Sequence, residues 1–188
     1  IDLDYINDIQ KSDIKEIRIG TNVTRIGNRA FESCISLQSV TIENSVTSIG
    51  VEAFQGCSAL QSLTIPNSVT MILSGTFQDC SALTSVSLPN SIINIATNVF
   101  KNCSSLSNVI LSPNLTVLNE SLFENSGLQS ITIPESVTII DDNVFKNCSS
   151  LTTVILSNNL KNIGSNVFEN CNLLTSLTLR SEEHTSEL

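Results

Sequence analysis

The sequence predicts a mainly β repeat solenoid, and three regularities carry that reading. A phenylalanine recurs at a near-constant step, a cysteine follows almost every one at a fixed offset, and each unit opens with the same apolar alternation. The phenylalanines stand at Phe31, Phe54, Phe77, Phe100, Phe123, Phe145 and Phe168, a step of 23 residues with one of 22. Cys34, Cys57, Cys80, Cys103, Cys148 and Cys171 each lie three residues later, and after Phe123 the slot holds Ser126. All seven Phe and all six Cys of the 188 residues therefore belong to the repeat. Short apolar runs alone would also fit a sandwich or a barrel. A fixed period with like residues in phase points to stacked units, each too small to bury its own apolar set.

Alignment on Phe gives the unit L-x-x-V-x-I-P-x-S-V-T-x-I-x-x-x-x-F-x-x-C-x-x, seen cleanly from Leu60 to Ala82. Its opening alternates with period two, as in Val40-Thr41-Ile42 and Leu63-Thr64-Ile65, the pattern of a short half-buried strand. Pro66, Pro89, Pro113 and Pro134 follow, and proline's missing N–H marks the strand's end. Asn-Ser pairs such as Asn44-Ser45, Asn67-Ser68 and Asn90-Ser91 then favour a turn through bonds to their own backbone. A second extended piece comes next, as in Val46-Thr47-Ser48-Ile49. The stretch from Ala53-Phe54 to Cys57 is too short for a regular helix and is expected to form a 3₁₀ or short helical turn. Seven full units run from residue 14 to 173, and Leu174, Leu177 and Leu179 open an eighth. The 22-residue copy is Leu106 to Gly127.

Stacked at the strand spacing of ~4.8 Å, the Phe and Cys columns become internal files. Ser126 filling a cysteine slot favours buried free thiols, although neighbours at that spacing are also within reach of a disulfide. Cysteines 23 residues apart do not have the grouping of a structural zinc site.

The stretches Leu60-Gln61-Ser62-Leu63-Thr64-Ile65-Pro66-Asn67-Ser68-Val69-Thr70 and Ala53-Phe54-Gln55-Gly56-Cys57-Ser58-Ala59-Leu60 resemble leucine-rich repeats of the BspA-like, or Treponema pallidum, type. The likeness covers Ile14 to Leu179. It departs from the commoner leucine-rich repeat, since Ser45 and Thr47 stand where that pattern has Asn or Cys and then Leu. The resemblance implies a right-handed coil of short parallel strands. It also implies a cell-surface or secreted setting, and adhesion or protein binding rather than catalysis.

Residues 1–13, with Asp2, Asp4, Asp8 and Asp13, read as a degenerate N-terminal cap or the end of a preceding region. Residues 180–188 lose the phase abruptly and resemble a translated sequencing adapter, so they are read as a non-native tail. A repeat stack cut without polar caps exposes its last core layer, and self-association through the uncapped ends is expected.

The formal charge of −9 and only nine Lys and Arg argue against nucleic acid. No apolar run reaches the ~20 residues of a membrane helix. The single histidine, His184, lies in the suspected tail, which removes Ser-His-Asp and Cys-His sites from the body. Asp141-Asp142 and Glu120/Glu124 are the remaining candidates for a carboxylate pair, but solvated surface charge accounts for both. Asp141-x-Asn143 starts like a calcium loop and then runs into Val144-Phe145 of the core. No cofactor or metal is expected.

Binding is expected on the outward side of the opening strands. That side carries Glu16, Arg18, Ser39, Thr41, Ser62, Thr64, Ser85 and Ser87, then Asn108, Ile110, Ser130, Thr132, Thr153 and Ile155, with Ser176 and Thr178 beyond. It is a hydroxyl-rich face with two apolar residues, Ile110 and Ile155, and without the Trp, Tyr and Arg of strong hot spots. It suits either a multivalent surface for a protein or glycan, or a passive spacer built of good strand formers. Five N-x-S/T sequons begin at Asn22, Asn102, Asn114, Asn119 and Asn147, with the last of these and Asn102 beside cysteines of the file.

Overall fold

The computed structural model describes residues 11–179. Residues 1–10 of the expected cap over residues 1–13, and the whole expected tail, residues 180–188, lie outside them. The fifteen strands are β1 (Glu16–Ile19), β2 (Arg25–Ile26), β3 (Ser39–Ile42), β4 (Ser48–Ile49), β5 (Ser62–Leu63), β6 (Met71–Ile72), β7 (Ser85–Ser87) and β8 (Asn94–Ile95). They continue as β9 (Asn108–Ile110), β10 (Val117–Leu118), β11 (Ser130–Thr132), β12 (Ile139–Ile140), β13 (Thr153–Leu156), β14 (Asn162–Ile163) and β15 (Ser176–Leu179). Odd strands open successive turns and form one face of a parallel β-solenoid; even strands form a second face.

All pairings are parallel and in repeat register, so Ser39 lies between Glu16 and Ser62, and Ile140 between Leu118 and Ile163. The alternation predicted from sequence holds: Val40 and Ile42 face the core while Thr41 faces out. Neither file is a continuous ladder. The odd file breaks after β5 and again after β9, and the even file breaks after β8.

The Phe segment corrects the expected 3₁₀ or helical turn. It is a run of tight turns, with Glu32 N–H donating to Arg29 C=O at 3.1 Å and Cys34 to Phe31 at 3.2 Å. The residues two before and two after each Phe take φ between 54° and 71°, as at Asn98 and Asn102 or Gly75 and Asp79. Left-handed residues stop helix propagation and turn alternate N–H groups toward the next turn of the coil. Phe54 donates to Thr76 C=O at 2.9 Å, Phe77 to Val99 at 3.1 Å and Phe100 to Leu122 at 3.0 Å. A third parallel ladder therefore runs down the molecule without any strand. Asn, Asp and Gly fill most of its left-handed positions, being the residues least strained there.

A second correction concerns the Asn-Ser turns. The serine hydroxyls bond the preceding turn rather than their own backbone: Ser45 Oγ reaches Val23 C=O at 2.8 Å, and Ser91 Oγ reaches Val69 C=O at 2.7 Å. The corner is thus tied along the stack.

Inside, the seven Phe rings form one file, with neighbouring centroids 5.2–5.8 Å apart and planes 4–21° from parallel. Six are fully buried, and Phe168 in the last complete turn is half-buried. The cysteines run beside them as free, buried thiols. Each thiol after the first donates to the Phe carbonyl of the turn below, at 3.2 Å for Cys57 to Phe31 and 3.1 Å for Cys171 to Phe145. Ser126 keeps its place in the file, 3.3 Å from Cys148 Sγ. Burial pushes the Cys80 and Cys148 thiols up to about 12.

The short copy closes through a glycine. A β-carbon on Gly127 would collide with the Ser104 carbonyl oxygen, so this close backbone approach requires glycine. In the turn that follows, one Glu135 carboxylate oxygen and the Ser136 hydroxyl are buried without a partner.

Three outcomes are expected. Phe77→Ala and Phe100→Ala should each cost ~3–5 kcal/mol in denaturant or thermal melts, because both neighbours in the file lose a partner. Gly127→Ala should lower the melting temperature while Gly20→Ala, where a β-carbon meets nothing within 4 Å, should not. The raised thiols leave stability untouched below the ordinary thiol pKa near 9 and erode it above, where only the unfolded chain ionises. A melting series from pH 7 to 11 should therefore fall from about pH 9, and thiol reagents should label the native chain only after unfolding.

Candidate binding surface

The odd-strand face brings the sequence-predicted residues together in rows. Glu16, Ser39 and Ser62 are in register, as are Arg18 and Thr41, Ser85 and Asn108, Ser87 and Ile110, Ser130 and Thr153, and Thr132 and Ile155. Most are exposed; Ser39, Thr153 and Ile155 are half-buried. Arg18 pairs with Glu43 at 3.5 Å beside this face, the arginine exposed and the glutamate partly so. From Ser39 to Thr132 the outward positions are uncharged.

The break between β9 and β11 opens a groove of about 370 Å³ in this face. Asn108, Ile110, Pro113, Ser130, Thr132 and Pro134 line it. Ile110 is 59% exposed at its edge. The break follows the 22-residue copy, whereas the earlier break after β5 lies between copies of ordinary length.

Sequence reasoning passed over the even-strand face. Met71 is 43% exposed there, and its slot is continued by the exposed Asn94 and the half-buried Val117 and Ile139, while Ile93, one residue before β8, is 60% exposed. Hollows of about 310 Å³ beside Met71 and about 390 Å³ between Ile93 and Val117 flank them. The available signal was the variable position of V-T-x-I, which changes from Arg25 and Ser48 to Met71, Asn94, Val117 and Ile139.

The third side carries polar ladders that also went unread. Asn102 Nδ2 donates to Asp79 Oδ1, Asn125 to Asn102, Asn147 to Asn125 and Asn170 to Asn147, at 2.7–2.8 Å. Beside it Lys101 pairs with Glu124 and Lys146 with Glu169, each at 2.8 Å. Burial works against the Glu124 charge, but Lys101, the Ser121 hydroxyl and Lys146 outweigh it and hold its pKa below the usual range.

The carboxylates considered for catalysis have structural partners or stand in solvent. Glu124 is engaged with Lys101, Asp142 Oδ1 accepts the Ser165 N–H at 2.6 Å, and Glu120 and Asp141 are exposed. Asn143 sits in the left-handed turn before Phe145, which is not the course of a calcium loop. Among the described residues no group of three or more His, Cys, Asp or Glu is placed to hold a metal. None of their helices is long and apolar enough to cross a membrane.

A family profile for the BspA type leucine-rich repeat region, in six copies, matches residues 9–126 and 70–186. Among solved structures, the Treponema pallidum leucine-rich repeat protein is 28% identical, with a TM-score of 0.79 over 86% of this chain and 78% of that one. A leucine-rich cell surface protein of Faecalibacterium prausnitzii is 27% identical, with a TM-score of 0.65 over 90% of this chain and 60% of its own. The pneumococcal vaccine antigen PcpA shares the fold at 20% identity and a TM-score of 0.59, over 87% of this chain and 51% of that one. No curated protein sequence matches the chain significantly. With the profile spanning nearly all of the stacked turns, the chain belongs to the BspA-type leucine-rich repeat family.

Proposed function

We propose that this chain is a non-enzymatic binding module, part of a larger cell-surface protein, that holds a protein or glycan ligand on its odd-strand face. The observation that carries the reading is the uncharged hydroxyl face opened by the groove at Ile110, Pro113 and Thr132. A row of small polar side chains offers many weak, repeated contacts, and a hollow of mixed polarity in its midst, edged by Ile110, Pro113 and Pro134, supplies one point of anchorage. The cell-surface description of the Faecalibacterium prausnitzii relative supports the setting. The acidic charge disfavours nucleic acid as partner.

A passive spacer is the second reading, favoured by one observation: the outward face carries no Trp or Tyr and no Arg beyond Arg18, the anchors that dominate hot spots.

Surface-binding assays against extracellular matrix proteins and immobilised glycans separate these readings. Ile110→Asp is expected to weaken binding at least about tenfold, with a smaller loss for the half-buried Ile155→Asp. Binding unchanged by both would move the site off this face, and no binding to any probe would favour the spacer.

A further inference from the structure

The five N-x-S/T sequons are not equivalent in the fold. Asn102 and Asn147 are rungs of the asparagine ladder and use both ends of the amide. Asn102 donates to Asp79 and accepts from Asn125 at 2.7 Å each. Asn147 donates to Asn125 at 2.8 Å and accepts from Asn170 at 2.7 Å. Both are half-buried, and the oxygen end of each amide is held by the next rung. Asn119 is also half-buried, and its Nδ2 donates to Ile95 C=O at 2.6 Å.

Asn22 and Asn114 differ from these three. Both are exposed, and both stand at the corner between the two strands of a turn, Asn22 between β1 and β2 and Asn114 between β9 and β10. They occupy the same repeat slot, four turns apart, which Ser45, Ser68 and Ser91 fill in the turns between. Asn114 Nδ2 donates one hydrogen to Asn90 C=O at 2.7 Å. N-glycosylation replaces a single hydrogen on that nitrogen, so the remaining one can keep this bond.

We propose that Asn22 and Asn114 are the N-glycan acceptor sites of this protein, and that Asn102, Asn119 and Asn147 are reserved for holding its turns together. An oligosaccharyltransferase would use a lipid-linked oligosaccharide pyrophosphate as donor. The bond from the first sugar's C1 to the pyrophosphate oxygen breaks and a C1–Nδ2 bond forms. The amide loses one proton to a base of the transferase, and the lipid pyrophosphate leaves. The two glycans would stand on one corner of the rod, separated by four strand spacings or roughly 19 Å. The one on Asn114 would flank the groove beside Pro113.

The test is secretion of the chain from cultured eukaryotic cells, followed by glycopeptide mapping of the soluble, cooperatively melting product. Glycan is expected on Asn22 and Asn114 alone. Asn22→Ser and Asn114→Ser should each remove one mass step, and the double variant should carry no N-glycan. Serine is the residue this slot holds in neighbouring turns, so these variants keep the fold. Sugar on Asn102, Asn119 or Asn147 of the folded product would overturn the assignment. So would bare Asn22 and Asn114, or a chain retained in the cells with its ladder asparagines modified. None of these results depends on whether the odd-strand face binds a ligand.

Discussion

The constraint behind this molecule is that no turn can cover its own apolar residues. A 23-residue coil has two strands of two to four residues and one Phe turn, which is too little chain to enclose Phe, Leu, Val and Ile on both sides. Each turn instead lends its upper surface to the turn above. The constant step follows from this, because a slip in length would move Phe and Cys out of their files. Where one residue is lost, Gly127 lets the backbone pass close to Ser104, the file of rings continues unbroken, and Ser126 holds the place of a thiol in the neighbouring file.

Polar groups obey the same rule. In the Phe turns alternate N–H groups point along the axis and find carbonyls of the next turn. The serines at the corner and the asparagines beside Phe do likewise with their side chains. Buried polar atoms would otherwise cost more than the apolar stack returns, so these ladders are as necessary as the hydrophobic files. The Lys101–Glu124 and Lys146–Glu169 pairs add alternation of charge on the same side, and such partly exposed pairs contribute modestly.

Much of this was legible in the residues. Period, strand, and the buried Phe and Cys columns all follow from apolar positions, which repeat strictly because packing leaves them no latitude. The Phe turn was misread because its neighbours look helix-compatible in one copy. Only when all copies are aligned does the Asn, Asp and Gly bias at two residues on each side of Phe appear, and that bias encodes left-handed φ. The asparagine ladder was missed for a related reason. Asn102 or Asn125 alone is a turn former, and its role arises only when identical amides are brought into one column. The outward residues of the odd strands were readable from period two alone. The groove at Ile110 was not, because it comes from where the strand ladder breaks rather than from residue type. The exposed apolar residues Met71 and Ile93 escaped notice because the even strands are too short to show alternation.

The proposed binding role fits a rod of this construction. Its interior is committed to stacking, and its charged groups are spread over the third side and the ends. What remains is two long flat faces on which contact is repeated from turn to turn. The central claim is that bonds between turns, including those of the Phe segments, hold the fold. Native-state hydrogen exchange resolved to single residues tests it most directly. The account requires the amides of Phe54, Phe77, Phe100 and Phe123 to be protected as strongly as strand amides such as Val86 and Val109. Exchange at those four as fast as at the exposed corners would contradict it.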